Sequence, residues 1–192
     1  MGCGIVLLFL LLIDLLFGGK LWQTIKSQFI ETPTPSAPKI AFVSNRDGNM
    51  EIYTMNSDGT GLINLTNSPS HEYWPQWSPD LSKITFHLYE ANDDKRENAD
   101  IYVMNADGTN RIRLTHELTS QKFPSWSPAG TMIVFCSNQG GNYDIYTMHN
   151  DGSQITDDPG KDYYPMWSPK SDEIVFESDR TGNNDIYIMK KD

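Results

Sequence analysis

Acidic residues that recur before an Ile-Tyr pair are the most numerous candidates for chemistry in this 192-residue sequence. They are Glu51, Asp100, Asp144 and Asp185. Carboxylates can bind a hard cation or act in acid–base catalysis. A catalytic residue is needed once, however, whereas these acids occur in every copy of a repeated motif. We therefore predict that they form structural hydrogen bonds.

The other residues with catalytic potential do not combine into a known motif. The histidines are His71, His87, His116 and His149. Two of them precede a glutamate, as in a zinc-protease motif, but Pro75 and Ser120 stand where the second histidine would be. The Ser-x-x-Lys pattern at 36–39 lies in a proline-rich stretch, and no Gly-x-Ser-x-Gly motif occurs. The sequence therefore predicts no catalytic residue, no cofactor and no metal site.

Segments that differ between the copies are better candidates for binding, because binding residues favour loops on a rigid scaffold. Residues 71–74, 120–123 and 161–164 each lead into a repeated Pro-x-Trp motif. We expect these three segments to meet at one mouth of a central channel. The predicted partner-binding residues are His71, Glu72, Tyr73, Gln121, Lys122, Asp162 and Tyr163.

An internal repeat defines the elements that must position these residues. A short apolar strand begins at Ile40, Ile84, Ile133 and Ile174, at intervals of 44, 49 and 41 residues. The acidic-Ile-Tyr motif, an Asp-Gly turn and Pro-x-Trp-Ser-Pro recur around this strand. Alternating apolar residues indicate a buried strand, and Asp-Gly is typical of a hairpin turn. Each unit is therefore predicted to form up to four short antiparallel strands, and radial stacking of such units is typical of a β-propeller.

Residues 1–37 have a different composition from the repeats. Residues 4–17 are apolar except for Asp14, and the apolar character continues weakly to residue 25. A membrane-spanning helix needs about 17–25 apolar residues, so residues 1–25 are predicted to be a transmembrane or signal-anchor helix. A cleaved signal peptide is the alternative. Residues 26–37 are predicted to be a proline-rich linker, and residues 38–192 the partial propeller.

Charge and cysteine content exclude some classes of protein. Acidic residues outnumber basic residues by 25 to 15, which disfavours binding to nucleic acid. Two cysteines, far apart in sequence, do not form the framework of a disulfide-rich domain.

The repeat resembles the WD-like propeller repeat of the TolB family. The resemblance rests on residues 47–60, on Leu65-Thr66 and on Trp77-Ser78-Pro79-Asp80. The repeat is also similar to that in the propeller of dipeptidyl- and oligopeptidase-type serine peptidases. It departs from the pattern at Ala129 and Lys170, which replace the turn aspartate, and at Ile155, which replaces leucine.

The resemblance implies an all-β fold, a TolB-type β-propeller that is incomplete. We expect about four blades and 14 strands, with three strands in the first and last blades, preceded by the N-terminal apolar helix. The open edges predict either a homo-oligomer in which two chains complete one propeller, or a truncated gene product.

The resemblance also implies a function. We expect a non-enzymatic, membrane-tethered scaffold for protein interactions in the bacterial envelope, with the propeller outside the cytoplasm, in the periplasm or at the cell surface. The partners implied are proteins, including envelope lipoproteins. The alternative is the propeller part of an enzyme, either the gating domain of a serine oligopeptidase or a propeller like that of oligogalacturonate lyase.

Overall fold

The computed structural model describes residues 39–91, 93, 97–149, 160–170 and 173–190. All regular secondary structure in these residues is β-strand. Within these ranges the chain has no helix suited to crossing a membrane. The predicted N-terminal helix (1–25) and linker (26–37) lie outside the described residues.

The strands form four small antiparallel sheets in chain order. The first sheet contains β1 (Lys39–Ser44), β2 (Glu51–Asn56) and β3 (Ile63–Asn64). The second contains β4 (His71–Trp77), β5 (Lys83–Tyr89), β6 (Ala99–Asn105) and β7 (Ile112–Arg113). The third contains β8 (Gln121–Trp126), β9 (Ile133–Ser137) and β10 (Asp144–Met148). The fourth contains β11 (Asp162–Trp167), β12 (Glu173–Ser178) and β13 (Asp185–Lys190).

Thirteen of the 14 expected strands are described. The remaining one, expected as the outer strand of the third sheet, lies outside the described residues. Among the described strands, the first sheet has no counterpart of the inner strand β4, and the fourth has no counterpart of the outer strand β7. Within the described residues, the first and last sheets therefore have three strands each, and the four-sheet, all-β architecture agrees with the prediction.

The apolar strands are buried because each sheet packs against the next. Ile52 of the first sheet packs with Ile84 and Phe86 of the second, and all three side chains are fully buried. A second cluster joins Ile101 to the third sheet, and a third cluster, which includes Cys136, joins the third sheet to the fourth. Trp77, Trp126 and Trp167 belong to these clusters. Among the described strands, each sheet contacts the next in chain order, and none in the first sheet contacts the fourth.

Two of the four recurring acids, Glu51 and Asp100, form structural hydrogen bonds of the kind predicted from their repetition. In the first sheet, the Thr66 hydroxyl donates to the Glu51 carboxylate (2.5 Å) and accepts from the Ile52 amide (2.9 Å). In the second sheet, Thr115 repeats both contacts with Asp100 (3.0 Å) and the Ile101 amide (2.9 Å). Each acid therefore ties the segment after the outer strand to the strand beside it.

The Asp-Gly turns provide a test of the packing between the first two sheets. Gly59 and Gly108 have nearly equal φ angles, +84° and +85°. A Cβ at Gly108 would lie 2.6 Å from the backbone oxygen of Leu65 in the first sheet, whereas nothing lies within 4 Å of a Cβ at Gly59. We expect Gly59→Ala to lower the free energy of unfolding by about 1 kcal/mol and Gly108→Ala by about 2 kcal/mol. Urea unfolding measures both, and equal losses would contradict this packing.

Candidate functional site

One aromatic residue from each of three inner strands meets the other two in a cluster of rings. These residues, called here the aromatic trio, are Trp74, Phe123 and Tyr164. The ring centroids lie 5.1 Å apart for Trp74 and Phe123, and 4.4 Å apart for Phe123 and Tyr164. Trp74 and Tyr164 are 5.6 Å apart. The trio therefore joins the second, third and fourth sheets at one point.

An unusual backbone conformation directs these rings. Each residue of the trio precedes the proline of Pro-x-Trp and has a positive φ, between 53° and 57°. Each inner strand has a β-bulge at this position. A positive φ at a bulky residue is rare and costs about 1–3 kcal/mol. Its occurrence at three equivalent positions shows that this geometry is a regular feature of the inner strands.

A groove of about 640 Å³ lies beside the trio, between the first and second sheets. Its walls include Ala41, Phe42 and Val43 of β1, and Tyr73 and Trp74 of β4. Strand β1 pairs with β2 along one edge only. In the part of the chain that the structure describes, no strand pairs with its other edge. The groove therefore combines apolar side chains with a row of backbone groups available for hydrogen bonding.

His87 forms part of the groove floor and is held in its neutral form. Its ring stacks on Tyr73 at 5.6 Å and meets the edge of Phe123 at 5.3 Å. The Phe123 amide donates to the imidazole Nδ1 at 3.5 Å. Burial lowers the pKa of His87 to about 3, and the charge of Lys122 contributes. The imidazole therefore acts as a hydrogen-bond acceptor at Nδ1 under ordinary conditions.

Lys122 places a positive charge next to the trio. Its Nζ lies 5.4 Å from the ring centre of Tyr89 and 5.3 Å from that of Tyr143. Burial alone would lower the pKa of Lys122, but hydrogen bonds with Tyr143 and Tyr89 outweigh it and raise the pKa. The ammonium group thus stays charged. A second hollow of about 320 Å³ adjoins it, between Lys122 and the tyrosines of the third and fourth sheets.

The structure divides the predicted partner-binding residues into two groups. Tyr73, Lys122 and Tyr163 occupy equivalent positions, and all three line the groove or the hollow. His71 begins β4, is half-buried, and accepts a hydrogen bond from the Met50 amide at 3.3 Å. These residues lie where a partner could contact them.

The second group is buried and engaged inside the domain. Glu72, Gln121 and Asp162 occupy the preceding equivalent position and are at most 1% exposed. Glu72 accepts from the Ser68 hydroxyl and lies 3.5 Å from Arg111. Asp162 lies 3.2 Å from Arg180. A partner on the surface would not reach them, because the strand turns every second side chain inward.

The aromatic trio is absent from the seven predicted residues, although its members lie within the segments singled out for binding. The sequence signal that identifies them is an aromatic residue directly before the proline in three copies. Across the described ranges, no group of three or more His, Cys, Asp or Glu side chains is arranged to hold a metal ion.

Comparison with known proteins shows what this arrangement resembles. No family model matches the chain. Over 53 residues, 28% of the chain and 12% of the relative, it is 43% identical to the "Protein TolB homolog" of Chlorobaculum tepidum. It resembles the structure of a putative TolB from Agrobacterium tumefaciens, with a TM-score of 0.70 and 26% identity over 80% of this chain and 57% of that one. TolB from Acinetobacter baumannii gives a TM-score of 0.69 and 25% identity over 80% and 39%.

These similarities confirm a TolB-like propeller repeat. The chain spans 12% to 57% of the length of these relatives. Solved peptidases and oligogalacturonate lyases share the fold with at most 17% identity, which supports the fold alone.

Proposed function

We propose that this chain is a non-catalytic propeller domain that binds an extended protein segment in the groove beside the aromatic trio. The observation that carries the proposal is the position of the edge of β1 with which no described strand pairs. This edge faces a groove of about 640 Å³ whose opposite wall is aromatic. An extended segment that pairs with β1 would take the place that β4 occupies in the second sheet.

Addition of a strand to a free edge is an established way to recognise an extended peptide. Backbone hydrogen bonds to β1 would supply affinity for any extended segment. Side-chain selectivity would come from Tyr73, Trp74 and Phe123, because large rings bury much area and are frequent hot spots. Lys122 would favour a segment with a carboxylate near this point.

The resemblance to the TolB family supports a protein as the ligand and a location outside the bacterial cytoplasm. Envelope lipoproteins are the partner class that the resemblance implies. Residues 1–25, outside the described part of the chain, are proposed to tether the domain to the membrane. The domain would then act as a scaffold at the envelope.

Selection of displayed peptides against the full chain tests the binding proposal. We expect enriched peptides to bind the native chain and the Leu118→Asp variant equally, because Leu118 is 96% exposed and outside the groove. Binding to Phe123→Asp should be at least about 10-fold weaker, since truncated or repelled hot-spot contacts cost more than 1 kcal/mol. N-methylation of alternate peptide amides removes every second N–H donor. It should weaken binding when the methylated amides are those that face β1.

Two results would overturn the binding proposal. One is an enriched peptide set that binds Phe123→Asp as tightly as the native chain. The same must hold for Tyr73→Ala, a milder variant of the groove. The other is turnover of peptide or oligogalacturonate substrates by the purified chain, which would favour the enzyme alternative. Circular dichroism of each variant separates a lost site from a lost fold.

A second copy of the chain is proposed to complete the propeller. The fourth sheet ends at β13, where Ile186 and Ile188 are 71% and 68% exposed. Light scattering of the full chain is expected to give the mass of a dimer, and the double variant Ile186→Asp/Ile188→Asp that of a monomer, because two charges would have to be buried at the new interface. Leu118→Asp, at an exposed position outside the fourth sheet, serves as the charge control. A native monomer would contradict the proposal.

A further inference from the structure

Two arginines, Arg46 and Arg180, hold matching positions in the first and fourth sheets. Each stands two residues after a serine that pairs with the recurring acid of the next strand. Each guanidinium lies over a stacked aromatic pair, with Cζ 4.6 Å from the tyrosine ring centre. The pairs are Phe42–Tyr53 and Phe176–Tyr187. Cation–π attraction therefore holds both guanidinium groups in the same place on their sheets.

The fourth sheet shows what an arginine at this position binds. Its inner strand β11 places Asp162 directly opposite Ser178. Arg180 Nη2 lies 3.2 Å from both oxygens of the Asp162 carboxylate. In the second sheet, the arginine comes from the segment before β7, and Arg111 Nη1 lies 3.5 Å from Glu72 of β4. In both sheets the acid of the inner strand thus pairs with an arginine of the same sheet.

The third sheet has glutamine at both positions. Gln121 of β8 stands where the other inner strands have the acid, opposite Ser137. Gln139 stands two residues after this serine, where the first and fourth sheets have arginine. In these three sheets the acid and the arginine therefore occur together or are both replaced.

The first sheet has the arginine, but no described inner strand supplies its acid. Within the described ranges, no carboxylate forms an ion pair with Arg46. The neighbouring Asp47 instead accepts a hydrogen bond from the Tyr53 hydroxyl. Phe42, which lies under the Arg46 guanidinium, is also part of the groove wall. A segment bound in the groove would therefore pass within reach of Arg46.

We propose that the extended segment bound beside β1 carries a carboxylate opposite Ser44, which Arg46 binds as Arg180 binds Asp162. This assignment rests on the proposed peptide groove and adds the register and the charge of its ligand. The segment would run antiparallel to β1, as β11 does to β12. An aromatic residue two positions after the acid would extend the aromatic trio, each member of which follows the acid position of its inner strand by two residues. The ligand class is thus an extended segment with the pattern acid-x-aromatic.

The position of the carboxylate determines how strongly it can bind. A guanidinium can donate two parallel hydrogen bonds to one carboxylate, which makes the contact both strong and directional. The bound segment would shield this pair from water, so it would contribute more than a pair on an open surface. A shift of the acid by one residue would turn its side chain to the opposite face of the segment. The contact with Arg46 therefore selects one register.

Titration of the full chain with a peptide that copies β11 tests the assignment. The probe is acetyl-Gly-Lys-Asp-Tyr-Tyr-Pro-Met-Trp amide, the sequence of residues 160–167. One control peptide has asparagine in place of the aspartate, and a second exchanges the aspartate with the tyrosine that follows it. By calorimetry at neutral pH, we expect the probe to bind at least about 10-fold more tightly than either control, because hydrogen bonds to a charged group are the stronger ones.

Arg46→Gln identifies the partner of the carboxylate. This variant should bind the probe at least about 10-fold more weakly than the native chain, and the asparagine peptide within about 2-fold of the native value. Lys39→Gln is the matched control, because it removes a positive charge from the exposed start of the same strand. It should leave both affinities within about 2-fold. Circular dichroism of both variants verifies that they are folded.

Two results would overturn this assignment. One is equal binding of the probe and the asparagine peptide by the native chain. The other is a loss in Arg46→Gln that is the same for both peptides. If Phe123→Asp weakens binding in either case, the peptide groove is retained and only the role of Arg46 is wrong. Absence of binding for all three peptides would overturn the groove and the assignment together.

Discussion

Lowering the pH from 7 to 4.5 is expected to reduce the free energy of unfolding by about 2–3 kcal/mol through His87 alone. The folded chain holds the pKa of this imidazole at about 3 because the ring is buried. In the unfolded chain the pKa returns to about 6.5. The unfolded state thus binds more protons between these values. The contribution of His87 to the free energy of unfolding is therefore fully present above pH 6.5 and is lost as the pH drops toward 3.

Thermal unfolding at half-unit pH steps measures this effect. His87→Asn keeps a hydrogen-bond acceptor near Nδ1 and removes the titration, so its stability should change less between pH 7 and 4.5. His116→Asn, at an exposed position, should follow the native chain. Native and His87→Asn chains with the same pH dependence would contradict a neutral buried imidazole.

Asp80 and Glu72 also contribute to the pH dependence of stability. They do not affect the comparison of the native chain with His87→Asn and His116→Asn. Hydrogen bonds from Ser78 and Ser82 hold the pKa of Asp80 at about 2, so its contribution is lost only below about pH 4. Burial raises the pKa of Glu72, which makes its contribution increase as the pH falls. Both groups are present in all three chains, so their effects cancel.

Replacement of Arg180 by alanine is expected to lower the free energy of unfolding by about 3 kcal/mol. The Asp162 carboxylate is fully buried, and removal of this guanidinium withdraws its charge partner at 3.2 Å. Loss of one member of a buried ion pair costs more than loss of an exposed pair, because the remaining charge stays away from water. The expected value is at the lower end for buried pairs because the Arg180 side chain is 28% exposed.

The first sheet provides a matched control for this substitution. Arg46 lies over the Phe42–Tyr53 pair as Arg180 lies over Phe176–Tyr187, with the same 4.6 Å distance to the tyrosine ring. Its Nε donates to Ser44, as that of Arg180 does to Ser178. Arg46→Ala should therefore cost about 1 kcal/mol or less, the value of an exposed cation–π contact. Urea unfolding of both variants measures the difference, and equal losses would show that the Asp162 pair adds nothing.

Much of the fold could be predicted from the sequence because the repeat reports local structure directly. Ile84 and Phe86, two residues apart, indicated a strand that is buried, and both side chains are fully buried. The repetition of Glu51 and Asp100 indicated a structural role, which their bonds to threonine confirm. These inferences need only the residue types at neighbouring positions and the spacing of the repeat.

The candidate site was less predictable because it depends on a departure from regular strand geometry. In a regular strand Glu72 and Trp74 would face the same side. The bulge and the positive φ at Trp74 break this alternation, so the acid is buried while the ring reaches the trio. The pairing of Arg111 with Glu72 is similarly hidden, since 39 residues separate them in the chain.

Cys136 makes the contact between the last two sheets open to a kinetic measurement. Its side chain is fully buried in the cluster that joins the third and fourth sheets, and burial raises the pKa of the thiol. The thiolate must be exposed to attack an alkylating reagent, so alkylation at this position requires the fourth sheet to separate first. The alkylation rate of Cys136 therefore measures how often the fourth sheet separates from the third. A slower rate in the presence of a second chain or a bound peptide would report how strongly that partner stabilises the contact between the two sheets.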